Sequence, residues 1–302
     1  MKQCNMGGAV CVSHIGKREN QEDNFLFSDS FLTPELQAKM TDGNPVVLIE
    51  NYPRNNRIYA VSDGMGGENA GEVASRICVE ELARLEISQC RDSRAALDSL
   101  HSTISTISEN IRQLADIYPS CRGMGATLVL AYISGTSTTI LNVGDSRAYF
   151  YGDGTIIQLT SDHSEGQRML DLGLLSRTEL FKFPARAYLN RYLGCGGEGF
   201  QLQADEYLMS EKRGILILCS DGISDFLSEN KMVEILLQTE NLEAAGRKMV
   251  EEATGNSNSD NATIILIPLE EDENVVDKSY RTENTGLYSK GKAWLRHLWN
   301  SL

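Results

Sequence analysis

Positive charge is scarce in this chain. Its 302 residues include 28 Lys and Arg against 42 Asp and Glu, a formal net charge of −14. A balance this acidic excludes nucleic-acid binding through the overall field, and no groove for a phosphate backbone is expected. Clustered carboxylates would instead suit hard cations such as magnesium or manganese. The seven cysteines (4, 11, 78, 90, 121, 195 and 219) contain no CxxC pair and are odd in number. Structural zinc and a disulfide framework are therefore not expected, and a reducing cytoplasm is. The first seven residues lack the apolar stretch of a signal peptide. The strongest apolar run, Gly214–Cys219, is far too short to span a bilayer and reads as a buried strand. No internal repeat is visible.

What is present has the composition of an ordinary soluble globular protein, 41% hydrophobic and 23% charged. Short β-favouring segments at Val10–Ile15, Asn24–Phe27 and Val46–Ile49 precede a helix predicted over Glu68–Leu85. A second helix carries Leu97, Leu100, Ile104, Ile107, Ile111, Leu114 and Ile117 on one stripe and stops before Pro119. Strands follow at Ala126–Ile133, Thr138–Val143, Arg147–Tyr151 and Thr155–Leu159, the last pair joined by Gly152-Asp-Gly154. Residues 164–190 read as short helices and loop. Strands return at Leu202–Met209, Ile215–Cys219 and Ala262–Pro268, with helices at Glu229–Leu237 and Leu242–Ala253. Hairpin-like series of strands with helices grouped between them predict an α+β fold of antiparallel sheets covered by helices. The reading is one domain over 1–269, then an acidic linker and a basic tail over 270–302.

Short acidic motifs interrupt the strand pattern. At the end of Ile58–Ser62 stands Asp63-Gly64-Met65-Gly66-Gly67, whose glycines would let backbone groups approach a ligand as closely as the aspartate does. Alone, Asp-Gly after a strand is usually a turn. Comparable settings recur in Arg18-Glu-Asn-Gln-Glu22-Asp23, Gly144-Asp145-Ser146-Arg147, Ser220-Asp221-Gly222-Ile-Ser-Asp225 and Ser259-Asp260-Asn261, with Gly123-Met-Gly125-Ala-Thr127 beside them. Carboxylates gathered at one point must be protonated or neutralised by cations.

In the order and setting of these motifs, including Leu159-Thr-Ser-Asp-His163, the sequence resembles the bacterial type 2C metal-dependent protein phosphatases over about residues 8–268. The resemblance implies two packed antiparallel sheets flanked by helices. It also implies hydrolysis of phosphoserine and phosphothreonine by two magnesium or manganese ions, with a weaker third. Asp63 would bridge the two metals and the Gly64 carbonyl and Glu22 would ligate one. Asp221 and Asp260 would complete the other, and Asp23 would hold metal-bound water. Arg18 would clamp the phosphate, since its planar guanidinium can bind two oxygens in a fork. Asp145 and Asp225 match the third metal. A water bridging two ions would attack in line at phosphorus, so no cysteine nucleophile is needed.

Many animal members carry histidine where this chain has Met65, and methionine cannot donate a proton to the leaving alcohol. A metal-bound water is the first candidate for that acid and His163 the second, against a purely structural role for His163. His14, His101 and His297 lie outside the motifs. The segment 164–198 corresponds to the family's variable flap. There Arg177, Lys182, Arg186 and Arg191 would suit acidic phosphopeptides, or would simply be solvated loop charges. The resemblance implies a monomer acting on phosphoproteins, opposite a membrane Ser/Thr kinase. A non-catalytic binding module would typically lack metal aspartates, and a small-molecule phosphohydrolase fits an open acidic site less well. In the tail, Lys278, Arg281, Lys290, Lys292 and Arg296 face Glu283 alone, and Trp294 and Trp299 are the chain's only tryptophans. The tail would be a short helix docked on the acidic domain or a partly ordered segment, or else residues 288–302 would form an amphipathic helix in peripheral contact with an anionic membrane or with a partner kinase.

Overall fold

Alternation along single strands sets the layers of the computed structural model, which describes residues 8–40, 43–51, 56–66, 70–135, 137–180, 182–197, 199–209 and 213–269. The strands are β1 (Ala9–His14), β2 (Asp23–Phe27), β3 (Ser30–Phe31), β4 (Val46–Glu50), β5 (Arg57–Met65), β6 (Gly125–Ala126) and β7 (Leu128–Ser134). They continue as β8 (Ser137–Val143), β9 (Arg147–Gly152), β10 (Thr155–Gln158), β11 (Asp205–Met209), β12 (Gly214–Cys219) and β13 (Ala262–Leu269). The helices are α1 (Pro34–Gln37), α2 (Gly71–Ala83), α3 (Ser93–Ile117) and α4 (Glu165–Asp171), then α5 (Arg177–Leu180), α6 (Asp221–Ser224), α7 (Glu229–Gln238) and α8 (Leu242–Thr254).

In β5, Tyr59 and Val61 point between two sheets, whereas Ile58 and Ala60 point to α2 and α3. In β13, Ile265 and Ile267 share that inner layer while Ile264 and Leu266 face α7 and α8. Every strand of this kind is buried on both faces, and each fully buried aliphatic side chain contributes about 1.5–3 kcal/mol. One sheet runs β10-β9-β12-β13-β1-β4 and the other β11-β8-β7-β5-β2-β3, with β6 added beside β5. All the pairings are antiparallel. The result is helix, sheet, sheet, helix, as expected from the motifs.

Several sequence expectations shift in detail. The stripe of α3 buries Leu100, Ile104, Ile107 and Ile111 completely, but Ile117 at the helix end is 58% exposed. The helix predicted from Glu68 begins at Gly71 among the described residues, and residues 202–204 are loop rather than strand. The strand predicted over Ala126–Ile133 is broken at Thr127, for a reason that belongs to the site below. Gly67 and the basic tail, with its expected membrane contact, lie outside the described residues. The six cysteines among the described residues are free.

Candidate active site

Both sheets present their acidic residues at the same end. Asp63, near the end of β5, is paired in register with Asp23 at the start of β2. Asp145 follows β8, Asp221 follows β12, and Asp260 precedes β13. The Ser220 hydroxyl donates to Asp23 Oδ2 at 2.7 Å and accepts from the Thr263 amide at 3.1 Å, stitching one sheet's site residues to the other's.

Short polar side chains fix each carboxylate's backbone. The Thr127 amide donates to Asp63 O at 2.8 Å in the register of the ladder, but the strand is interrupted there because the Asp63 amide donates to the Thr127 hydroxyl at 3.0 Å. The same hydroxyl meets Ser146 Oγ at 2.6 Å, next to Asp145. Asn261 holds the opposite wall: Oδ1 accepts from the Glu22 amide at 2.7 Å, and Nδ2 donates to Ile15 O and Asn20 O at 2.8 and 3.0 Å. This clamps the loop bearing Arg18 and Glu22. Gly71 must lack a side chain, since a Cβ there would stand 2.7 Å from both Glu22 Oε1 and the Gly64 carbonyl oxygen. Those two oxygens therefore face one small space.

The electrostatics are those of crowded anions. Burial, then Asp221, Asp23 and Asp145, push the Asp63 carboxyl well above its usual range. Asp63 and Asp221 act on each other, raising the proton affinity of Asp63 and lowering that of Asp221. Burial raises Asp23 to about 7 and Asp145 to about 8. Asp221 rises to about 6 through burial and the charges of Asp225 and Asp260. Glu22 is raised by burial and by Glu72. Asp23 Oδ1 is buried without a hydrogen-bond partner. Arg18 Nη2 reaches Asp260 Oδ2 at 2.5 Å, and its side chain is 57% exposed.

No three His, Cys, Asp or Glu side chains among the described residues stand in ready ligand geometry. The donor set nevertheless fits hard divalent cations: every group is oxygen, one buried oxygen has no partner, and the carboxylates repel one another. A cleft of about 460 Å³ is lined by Asp63, Met65, Thr127, Asp145 and Asp221, with Ala187, Tyr188, Leu189 and Tyr192 as its less acidic wall.

The structure thus brings together Asp23, Asp63, Asp145, Asp221 and Asp260, with Glu22 beside Gly64 and Arg18 at the edge. Asp225 caps α6 and is exposed, and its charge acts on Asp221 ahead of that of Asp260. Arg191 is not a free phosphopeptide contact, because it is paired with Asp205 at 2.5 Å. Arg177, Lys182 and Arg186 are exposed. His14 binds Gly43 O and the Gly16 amide, and His101 binds Glu206, all away from the cleft. Sequence reasoning assigned no role to Thr127, Ser220 or Asn261 and overlooked Gly71 and Glu72. The available signal was a small or hydroxyl-bearing residue beside each carboxylate.

A family model described as protein phosphatase 2C matches residues 49–253. Serine/threonine phosphatase stp of Listeria monocytogenes is 32% identical over 220 residues, 70% of this chain and 84% of that protein. PstP of Mycobacterium tuberculosis is 31% identical over 225 residues, 74% of this chain and 41% of that protein. Stp1 from Staphylococcus aureus superposes with a TM-score of 0.73 at 28% identity, covering 90% of this chain and 98% of that one. The catalytic domain of PstP, solved in complex with two manganese ions, gives 0.65 at 26% identity over 87% and 100%. The chain belongs to the protein phosphatase 2C family. It is a protein serine/threonine phosphatase of that metal-dependent family, and its substrates are phosphorylated proteins. Arg18, Glu22, Asp23 and Asp260 fall outside the matched residues, so geometry alone joins them to the site. No helix among the described residues is long and apolar enough to cross a membrane.

Proposed function

We propose that this enzyme binds two divalent cations, Mn²⁺ or Mg²⁺, with Asp63 shared between them. Glu22 and the Gly64 carbonyl serve one, Asp221 and Asp260 the other, and Asp23 acts through water. Asp145 serves a third, weaker site with Asp225, whose charge acts on Asp221. The observation that carries this reading is the meeting of carboxylates from both sheets at one end, each with its proton affinity raised. The juxtaposition of Glu22 Oε1 and Gly64 O across Gly71 supports their pairing.

When bound, the cations neutralise these carboxylates, acidify a water and take up charge on the phosphoryl oxygens. Arg18 grips two phosphate oxygens and aligns the ester bond for displacement. The water oxygen bonds to phosphorus, the P–O ester bond breaks, and the released alcohol oxygen takes a proton, leaving inorganic phosphate and serine or threonine. Met65 lines the cleft but cannot supply that proton. His163 cannot either, since Nδ1 accepts from the Gly144 amide at 2.9 Å and Nε2 faces Asp205 Oδ2 at 3.1 Å. Water is then the acid. Leu189 and Tyr192 shield one side of the reacting group.

The physiological setting we propose is cytoplasmic, opposite a bacterial Ser/Thr kinase. The test is hydrolysis of a phosphothreonine peptide with MnCl2, MgCl2 or EDTA. Turnover with either metal and none with EDTA is expected; metal-independent turnover refutes the proposal.

A further inference from the structure

His163 is 5% exposed and has no idle polar atom. Its amide donates to Gly144 O and its carbonyl accepts from the Asn190 amide, both at 2.9 Å. Ring Nδ1 accepts from the Gly144 amide at 2.9 Å, so the neutral ring carries its proton on Nε2 and donates to Asp205 Oδ2 at 3.1 Å. Burial favours that neutral form. The other oxygen of Asp205 accepts from Arg191 at 2.5 Å, and Arg191 also donates to Gln203 O at 3.2 Å.

Two consequences follow from these bonds. The segment 164–190 is fastened at both ends: through His163 O to Asn190, and through Asp205 to Arg191. Within it, the Glu165 amide reaches Tyr188 O and the Gly166 amide reaches Arg186 O. Gly144, in turn, is gripped on both its N–H and its C=O by one residue, His163. Its φ of +102° is in the range that favours glycine, and a Cβ there would lie 2.7 Å from Thr127 Cβ. The turn therefore has little room, and Asp145 follows it directly. Tyr188, 71% exposed, lines the same cleft as Asp145.

We infer that His163 is a positioning residue through which the segment 164–190 sets the place of the Asp145 carboxylate, so that a phosphoprotein touching that segment is felt at Asp145. A buried histidine that merely filled space would tie the Gly144 turn but would not transmit changes made at Asp205. The inference rests on the proposal that Asp145 serves a weak cation site.

The test is calorimetric titration of the full chain with MnCl2, combined with peptide kinetics. Asp145→Ala should abolish the weak site and leave the tight sites intact. Asp205→Ala, which removes no group contacting Gly144, should weaken that same site about tenfold, as loss of an outer hydrogen-bond partner does. It should lower kcat more than it raises KM. His163→Ala should do the same, and Asp205→Ala should add little to it. His163→Asn, whose amide oxygen can occupy the place of Nδ1, should recover part of the weak-site affinity. Wild-type manganese binding and kcat in Asp205→Ala, with the weak site lost in Asp145→Ala, would overturn the coupling and spare the Asp145 assignment. A weak site that survives Asp145→Ala would overturn both.

Discussion

Asp23→Asn should stabilise the metal-free enzyme at pH 8, although it removes a residue of the site. Asp23 is 1% exposed, one of its oxygens has no partner, and Asp221 and Asp260 act on it as like charges. Its folded-state value of about 7 exceeds the ordinary carboxylate value. The folded state therefore holds more protons than the unfolded chain between about pH 4 and 7, and stability falls as pH rises through that window. A difference of about three pKa units corresponds to about 4 kcal/mol for this group. Asparagine keeps the shape and the acceptor for Ser220 but carries no charge, so about 2–4 kcal/mol should return at pH 8. For a domain of this size that is roughly 5–10 °C in Tm. The assay is differential scanning calorimetry in EDTA at pH 5, 6.5 and 8. Wild type should melt progressively lower, and Asp23→Asn should show a shallower slope and the higher Tm at pH 8. Saturating manganese should favour wild type, since a ligand at 100 times its Kd adds about 2.7 kcal/mol to whichever protein binds it. A wild-type Tm that is flat or rising over this range, or a variant melting below wild type at pH 8 in EDTA, would refute the reasoning.

Asp63→Asn and Asp221→Asn should each lower manganese-dependent peptide hydrolysis by orders of magnitude while retaining the native circular dichroism spectrum. Gly71→Ala favours the helix locally by up to about 1 kcal/mol, but its methyl would intrude between Glu22 Oε1 and Gly64 O. Weaker manganese affinity by calorimetry is expected together with a lower Tm in EDTA, because the Gly64 backbone must shift to admit the methyl. The pH–rate profile of the wild type should lack a limb that follows histidine ionisation, and Met65→His should introduce one; an acid limb near pH 6–7 that disappears only in His163→Ala would contradict the use of water as the acid.

The layered core was legible because short apolar, β-favouring runs recur in hairpin-like series with helices grouped between them. The carboxylates were legible because each follows or precedes an apolar strand. What the sequence could not display is pairing across long separations. Nothing near Asn261 says that its side chain will hold Glu22, 239 residues earlier in the chain. Thr127 reads as strand because it is β-branched and follows glycine and alanine, yet its hydroxyl takes the Asp63 amide and so interrupts the ladder. Arg191 looked like a loop cation until Asp205 was brought beside it.

These misreadings share a cause with the activity. The carboxylates stand where the strands stop, since a side chain projecting into a cleft cannot also pack in the layer between the sheets. Asp63 and Asp23 keep their ladder pairing, and further rigidity comes from neighbours able to bond the backbone: Thr127 for Asp63, Asn261 for Glu22, His163 for Gly144. Replacing Thr127 by valine would keep its volume and β propensity while removing the hydroxyl that joins Asp63 to Ser146. If this support orients the carboxylates, Thr127→Val should lose manganese affinity and kcat with the core intact, and Thr127→Ser should recover much of both. Equal activity in the valine and serine variants would mean that the strand ends hold the site without that hydroxyl.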